Sequence, residues 1–437
     1  MFDILIVGAG LGGLAAAIAL RRKGHSVHVL EGAPEIKEVG AGIQIPPNST
    51  RILHSWGLKE ELLKLVVWPQ SITIRRYETG KQIGFTPLHP ELMDNYGYPY
   101  HVIHRHDYQQ LLLTEAKRVG AKVTLNAYVT SVDESTASVT LASGKTLTAD
   151  LIIGADGIRS RIRTAITRTT IEPRPTPNCA YRATIPLHKL VSNPIFTPLL
   201  SPPLCTLWIG PQRHIMAYPL RTSAPNPLYN LVLSHPSPAS TPGSLEDLKS
   251  HYANWDPLVT ALLSNIDSAH CIKWPIAELP VLDTWVSESG RIVLMGDAAH
   301  AMVPYLAQGA AMAVEDAAVL AECVARAKER SELGSVLAVF ENQRKGRCEM
   351  VQKGSWENGV GWHLADGPKQ LQRDADMRRD MEKMKMRKEE VEAEREKEKQ
   401  EKRKENPNMW SDEEFQPWLF NHDAVKAARE RLDEMGL

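Results

Sequence analysis

Phe2-Asp3-Ile4-Leu5-Ile6-Val7-Gly8-Ala9-Gly10-Leu11-Gly12-Gly13 opens the chain, and Val27-His28-Val29-Leu30-Glu31 follows after one helix length. An apolar strand runs into a GxGxxG turn, a helix with Leu14, Ala17, Ile18 and Leu20 on its buried face, and a second strand. Gly24 ends the helix. The three motif glycines have separate duties: Gly8 for the tight turn, Gly10 for backbone approach to a pyrophosphate, and Gly13 for close packing of helix on strand. Unpaired N–H groups at the helix start then face the phosphates. Glu31 stands where a carboxylate meets a ribose, which favours a free 2′-OH, present in FAD and NAD and absent from NADP.

Bulk properties narrow the field. With 437 residues the chain has room for two or three domains. A net charge of −1 gives no footprint for nucleic acid, and no apolar run reaches the length of a membrane span. Cys179, Cys205, Cys271, Cys323 and Cys348 lack CxxC spacing, so no metal site is expected and the thiols suit a reducing compartment. Met1 lies against the first strand with no basic n-region, and the expected location is the cytoplasm.

Further along, Glu38 to Ile45 forms a Gly-rich loop containing Ala41 and Gly42, ahead of a helix at Pro46-Pro47-Asn48. Ser71 to Tyr100 alternates like strands of a second lobe. Asp107 is the expected N-cap of a helix carrying Leu111, Leu112 and Leu113. Val123–Leu125, Tyr128–Val132, Ser138–Leu141 and Leu151–Ile153 read as strands of the nucleotide fold, the last ending in Gly154-Ala155-Asp156-Gly157. From Pro173 to about Pro280 proline is frequent and helical periodicity poor, as in a mainly β lobe. Ile292 to Leu294 is a buried strand, followed by Gly296-Asp297 and an alanine-rich helix from Gln308 to Ala327. The expected fold is α/β: a Rossmann-like domain (1–70, 101–172 and 281–360) interrupted by a substrate domain (71–100 and 173–280), with a charged helical extension over 361–437. A ligand is then expected between the two.

Three motifs in order, Gly8 to Gly13, Gly154-Ala155-Asp156-Gly157-Ile158-Arg159-Ser160, and Gly296-Asp297-Ala298-Ala299-His300 continued by Pro304 and Gln308-Gly309-Ala310, carry a resemblance. The chain resembles the FAD-dependent aromatic hydroxylases of the p-hydroxybenzoate hydroxylase superfamily, group A flavoprotein monooxygenases, and most of all the salicylate-hydroxylase-like enzymes of fungi. The likeness spans residues 1 to 360, with Trp418 to Ala424 echoing the family's tail. It implies FAD as cofactor and NAD(P)H and O2 as co-substrates. It also implies hydroxylation of a phenolic or hydroxybenzoate-like ring through a flavin C4a-hydroperoxide, with or without decarboxylation or dearomatisation.

The resemblance places cofactor contacts at Gly8, Gly10, Gly13, Glu31, Ala41, Gly42, Arg105, Asp156, Asp297, Gly309 and Ala310. Asp297 at a strand end suits the ribityl hydroxyls, and Gly309-Ala310 at a helix start offers N–H groups. Arg182 and Tyr218 match positions that hold the substrate phenolate in dearomatising relatives; a guanidinium fork and a phenolic donor both stabilise an oxyanion. His300 reads as a loop hydrogen-bonding residue rather than a base; His101, His104 and His106 as surface or cofactor-loop residues; Tyr305 and Trp208 as packing or pocket residues.

Residues Leu371 to Asn406 mix charges of both signs, as in a solvated helix with i,i+4 ion pairs. A stripe of Met377, Met381 and Met384, weakly continued by Val391, is expected to pack on the body, with a partner coiled coil as the alternative. Trp410, Phe415, Trp418, Leu419 and Phe420 form a segment that docks back. A monomer or homodimer is expected. Two other activities stay open: oxidation or epoxidation of a non-aromatic terpenoid or polyketide by the same fold, and a flavin-bound scaffold.

Overall fold

The computed structural model describes residues 1–36, 41–222, 226–237, 243–384 and 406–437. Five parallel strands form the first sheet, in the spatial order Ile292–Leu294, Leu151–Gly154, Asp3–Val7, Ser26–Leu30 and Lys122–Thr124. A parallel sheet needs crossovers that cover both faces, so its strands are buried without alternation: Ile4, Leu5, Ile6, Ile152, Ile153, Val293 and Leu294 all lie in the core.

Helices Leu11–Arg22 and Gly309–Val324 pack against each other. Their small residues permit the approach. A Cβ added at Gly12 would stand 3.2 Å from the Ala313 Cβ near the two N-termini, and Lys23 Nζ meets Glu322 Oε2 at 2.7 Å near the two C-termini. The helices therefore run parallel, with both N-termini at one end.

The second sheet has seven strands, in the order Cys271–Glu278, Arg174–Pro186, Leu228–Pro236, Arg213–Leu220, Cys205–Gly210, Ser71–Arg76 and Gln82–Pro87. Its two faces have different partners because side chains alternate. Ala180, Cys205, Leu207, Met216 and Tyr218 join the core of the nucleotide fold. Tyr181, Ala183, Trp208, Ile215, Ala217 and Leu231 build a second core with Leu248, Val259 and Leu262. Those last three come from helices Leu245–His251 and Pro257–Ser264, which the proline-rich composition concealed; their starts are capped by the Ser244 and Asp256 side chains.

Several local expectations are corrected. Val129–Asp133 and Ser138–Leu141 do not join the nucleotide sheet but form a separate antiparallel sheet with Thr146–Thr148. Helix Arg105–Arg118 begins after His104, with no side-chain cap, and Asp107 is buried within its first turn. His101 is buried against Trp68 while His104 meets His106; a three-residue step along a strand reverses the side chain's direction, so these histidines are not one cluster.

At the C-terminus, helix Pro368–Lys383 buries Met377 beside strand Gln82–Pro87, while Met384 is exposed. Val391 and the greater part of the charged stretch lie outside the described residues. Trp410, Leu419 and Phe420 are buried, and the Trp410 indole N–H donates to the Leu306 carbonyl at 3.4 Å. Among the described residues, no helix is long and apolar enough to cross a membrane.

Candidate active site

Sterics assign each motif glycine a duty. Gly8 adopts φ +103°, and a Cβ there would lie 2.4 Å from the Ala155 carbonyl oxygen. At Gly13 it would lie 2.0 Å from the Gly8 carbonyl oxygen. Gly10 differs: a Cβ would meet nothing within 4 Å, so its missing side chain leaves open space at the helix start. Neither helix N-terminus at this end has a side-chain cap or an acidic residue in its first turn, and Gly309 likewise faces open space, its nearest neighbour being Met302 at 4.0 Å. Two uncapped, parallel dipoles, each equivalent to about half a positive charge, converge where a pyrophosphate and an electron-accepting ring would be stabilised. The residues present fit FAD.

Glu31 is fixed rather than free to wander. Its Oε2 accepts the Ala9 N–H at 2.8 Å and its Oε1 the Ala33 N–H at 2.9 Å, leaving one lone pair on each oxygen for ribose hydroxyls. Asp297 is exposed at the start of the short helix Asp297–His300. Ala41 accepts the Arg105 N–H at 3.0 Å, which brings Arg105 beside the glycine loop; Glu38 to Gly40 of that loop lie outside the described residues.

Asp156 uses its carboxylate locally. Ser160 Oγ donates to it at 2.5 Å and the Arg161 and Ile162 N–H groups at 2.7 and 3.2 Å, forming the N-terminal turn of helix Arg161–Thr167. Burial raises its pKa and these bonds oppose the shift. The Asp156 backbone, not its carboxylate, abuts the dinucleotide turn: its Cα would stand 3.1 Å from a Cβ at Gly8.

Beneath Gly296-Asp297 lies an ion network the sequence reading did not assemble. Asp316 Oδ2 accepts from the Gly296 N–H at 2.9 Å and faces His300 Nε2 at 2.6 Å; Asp316 Oδ1 accepts from Arg344 Nε at 2.8 Å. Arg344 and Arg347 reach Glu315 at 2.5 and 2.8 Å, and Arg347 also donates to the Leu419 carbonyl at 2.8 Å. Asn48 joins Glu315 to Gln308 at 2.6 and 3.1 Å. Burial disfavours the His300 imidazolium, but its surroundings, with the Asp316 carboxylate and its hydrogen bond foremost among the charged partners, prevail and hold its pKa well above 6.5. Although His300, Asp316 and Cys348 present ligand-type atoms together, Arg344 lies among them with the wrong charge for a cation's neighbour. His300 closes the short helix Asp297–His300 and is bound to Asp316 of the following helix. A signal was available: Glu315-Asp316 interrupts the apolar first half of an alanine-rich helix, where unpaired charge is prohibitively costly.

On the second sheet, Arg182 and Tyr218 come together. Arg182, Val232 and Met216 make one cross-strand row and Thr184, Asn230 and Tyr218 the next, so Arg182 and Tyr218 share the face turned to the nucleotide fold. The Arg182 charge acts on the Tyr218 hydroxyl, whose pKa burial nevertheless raises far above 10. The Tyr218 ring lies on Gly42: a Cβ at that glycine would be 2.4 Å from the ring and 2.8 Å from the hydroxyl. Gly42 also donates its N–H to Asn230 Oδ1 at 2.7 Å, and the Tyr100 hydroxyl donates to Gln44 Oε1. Sequence reasoning passed over Gln44, Tyr100 and Asn230. The available sign was an amide at the centre of each apolar strand, Ile43-Gln44-Ile45 and Tyr229-Asn230-Leu231.

Trp208 does not line this region; it points into the second core and donates to Asp256 Oδ2 at 2.9 Å. Tyr305 is buried edge-on to His214, with ring centroids 5.2 Å apart, and belongs to the face shared with the nucleotide fold.

A sequence profile described as FAD binding domain matches residues 1–354. The chain is 34% identical over 433 residues to the FAD-dependent monooxygenase OpS4 of Beauveria bassiana, covering 97% of this chain and 96% of that protein. It is 34% identical to the 3-amino-4-hydroxybenzoate 2-monooxygenase PtmB3 of Streptomyces platensis, covering 86% and 92%. Among solved structures, a salicylate hydroxylase substrate complex superposes with a TM-score of 0.75 at 23% identity, over 98% of this chain and 97% of that one, a likeness of fold. With the glycine turn, the paired helix N-termini and these relatives in agreement, the chain belongs to the FAD binding domain family and is an FAD-dependent oxidoreductase.

Proposed function

We propose that this enzyme is an aromatic hydroxylase that uses NAD(P)H and O2 to oxygenate a phenolic or hydroxybenzoate-like substrate. The observation that carries the proposal is the meeting of Arg182 and Tyr218 on the sheet face directed at Gly42, beside the cofactor-binding fold. The chemistry FAD supplies when bound is hydride acceptance and activation of dioxygen for transfer to an electron-rich ring. Arg182 balances the charge of a phenolate oxygen, and Tyr218, kept protonated by burial, donates a hydrogen bond to it. A phenolate is the more electron-rich ring, so its stabilisation favours oxygenation. The relative acting on 3-amino-4-hydroxybenzoate is consistent with this substrate class.

In this reading Gly8, Gly10 and Gly13 admit the pyrophosphate, Glu31 holds the adenosine ribose, and Asp297 the ribityl chain. Gly309 and Ala310 present N–H groups to the flavin, Ala41, Gly42 and Arg105 flank it, and Asp156 shapes the adjoining loop. Segments 1–70, 101–172 and 281–360 form the cofactor domain, 71–100 and 173–280 the substrate domain, and 361–437 an extension. We assign it to the cytoplasm, as a monomer or homodimer, in keeping with five free thiols.

A panel of hydroxybenzoates assayed for stimulated NAD(P)H oxidation, with product mass and ring proton signals, tests the proposal. A hydroxylated ring is expected. Oxidation confined to non-aromatic metabolites contradicts it.

A further inference from the structure

Away from the Arg182–Tyr218 face, a cleft of about 400 Å³ opens between helices Pro47–Ser55 and Lys59–Leu65 and the residues at 93–99. Strand register fixes how far away it is. Gly42, against which the Tyr218 ring lies, pairs with His104, whereas Ile45 at the other end of that strand pairs with His101. The Trp68 wall of the cleft packs edge-on against His101, with ring centroids 4.8 Å apart. Three residues of strand set the two ends about 10 Å apart.

Two of the walls are aromatic, and both are held by their neighbours. Trp68 is braced edge-on by His89 at 4.9 Å as well as by His101. The Arg51 guanidinium stands 4.7 Å from the Tyr98 ring centroid, and the His54 ring lies 5.8 Å from it. Leu63 and Met93 add aliphatic lining. Rings fixed in this way lose little freedom when a ligand arrives, and a cleft of this volume is of the size that takes a small planar molecule.

The charge in the lining has one sign. No Asp or Glu stands among the described residues that line the cleft. Lys59 is exposed at the start of its helix and has no ion-pair partner among the described residues, since Glu61 is engaged by Lys64 at 2.6 Å. Burial and the Lys59 charge both push His54 below 6.5, so its ring is neutral at pH 7, and Arg51 is committed to Asp423 at 3.6 Å. Lys59 is left as the cation in need of a counter-charge.

We propose that this cleft is a second small-molecule site, for a planar aromatic carboxylate whose rings pack on Trp68 and Tyr98 and whose anionic group meets Lys59. None of these residues belongs to the Arg182–Tyr218 site, so the two assignments stand or fall separately.

The test is calorimetric titration of FAD-loaded protein with 6-bromo-2-naphthoate and with its uncharged amide. Wild type is expected to bind the carboxylate roughly 5-fold more tightly than the amide, Lys59→Gln to erase that preference, and Lys59→Glu to reverse it. Trp68→Leu is expected to weaken both ligands roughly 10-fold. Flavin absorbance and Tm of each variant report the fold, and the Lys59 variants, made at an exposed position, carry the test should Trp68→Leu fail to fold. Where the substrate site also binds the probe, Arg182→Ala removes that component and leaves the Lys59-dependent one. In crystals of the complex, anomalous scattering from bromine is expected beside Trp68.

Bromine found only at the Arg182–Tyr218 face, or carboxylate affinity indifferent to Lys59→Gln and Trp68→Leu, overturns the inference. Equal affinity of wild type for acid and amide overturns the anionic class of ligand. A dimer in solution that dissociates in Trp68→Leu gives the cleft to a second copy of the chain and overturns it as well.

Discussion

At the residue scale, one substitution made at two neighbouring glycines has opposite expected consequences. Gly10→Ala points a methyl group into open space, so the apoprotein's Tm should stay near that of wild type while FAD affinity falls. Gly13→Ala drives a methyl group to 2.0 Å from the Gly8 carbonyl oxygen, so the apoprotein itself should lose several degrees. Thermal melts with and without FAD separate the two. Arg182→Ala should lower kcat/KM for a phenolic acid about 10- to 100-fold, the size of a lost charged hydrogen bond, with flavin still bound in the purified protein. Unaltered kinetics would remove Arg182 from the site. The glycines could be assigned duties from spacing alone, because φ and steric demands are local. The placement of Asn230 against Gly42 could not, since it depends on two strands 188 positions apart at the Gly42–Asn230 hydrogen bond.

At the element scale, the buried ion network fastens the Gly296-Asp297 loop to the Gly309–Val324 and Leu333–Trp362 helices. Its pH dependence has a definite sign. His300 has a folded pKa above its unfolded 6.5, so its stabilisation is complete below pH 6.5 and is lost as pH rises through the folded value. Asp316 is lowered from 3.8, so its share is present above 3.8 and is lost only as pH falls through its own folded value. The gap in Tm between wild type and His300→Gln should therefore be widest from about pH 4 to 6.5 and narrow as pH rises above 6.5. A gap that widens with pH would refute the protonated His300.

The parallel strands were legible in the sequence because doubly covered strands are uniformly apolar: Ile292–Leu294 matches the expected boundaries and Leu151–Gly154 differs by one residue. Val129–Asp133 and Ser138–Leu141 have similar strand propensity, and only pairing partners distant from periodicity place them in another sheet.

At the scale of the whole molecule, the C-terminal segment 406–437 closes over the cofactor fold. Trp410 reaches the Leu306 carbonyl, Asn408 and Ser411 bond Thr86, and Arg347 holds the Trp418 and Leu419 carbonyls. Truncation after Met384 should thus lower Tm and impair FAD retention, since it uncovers Trp362 and strips acceptors from buried Arg347. Replacing 385–405 by a glycine–serine stretch of equal length should leave turnover unchanged, because every proposed site residue lies before it. Loss of turnover would assign the charged segment a role in catalysis.

The architecture as a whole puts a dinucleotide fold with two convergent helix N-termini against a sheet face bearing Arg182 and Tyr218. The most direct measurement is mass spectrometry of the product formed from a hydroxybenzoate, NAD(P)H and isotopically heavy dioxygen. Heavy oxygen in the product's aromatic ring is predicted, with yield reduced in Arg182→Ala and Tyr218→Phe. NAD(P)H oxidation that yields only hydrogen peroxide across the phenolic panel, with heavy oxygen entering only non-aromatic compounds, would contradict the account.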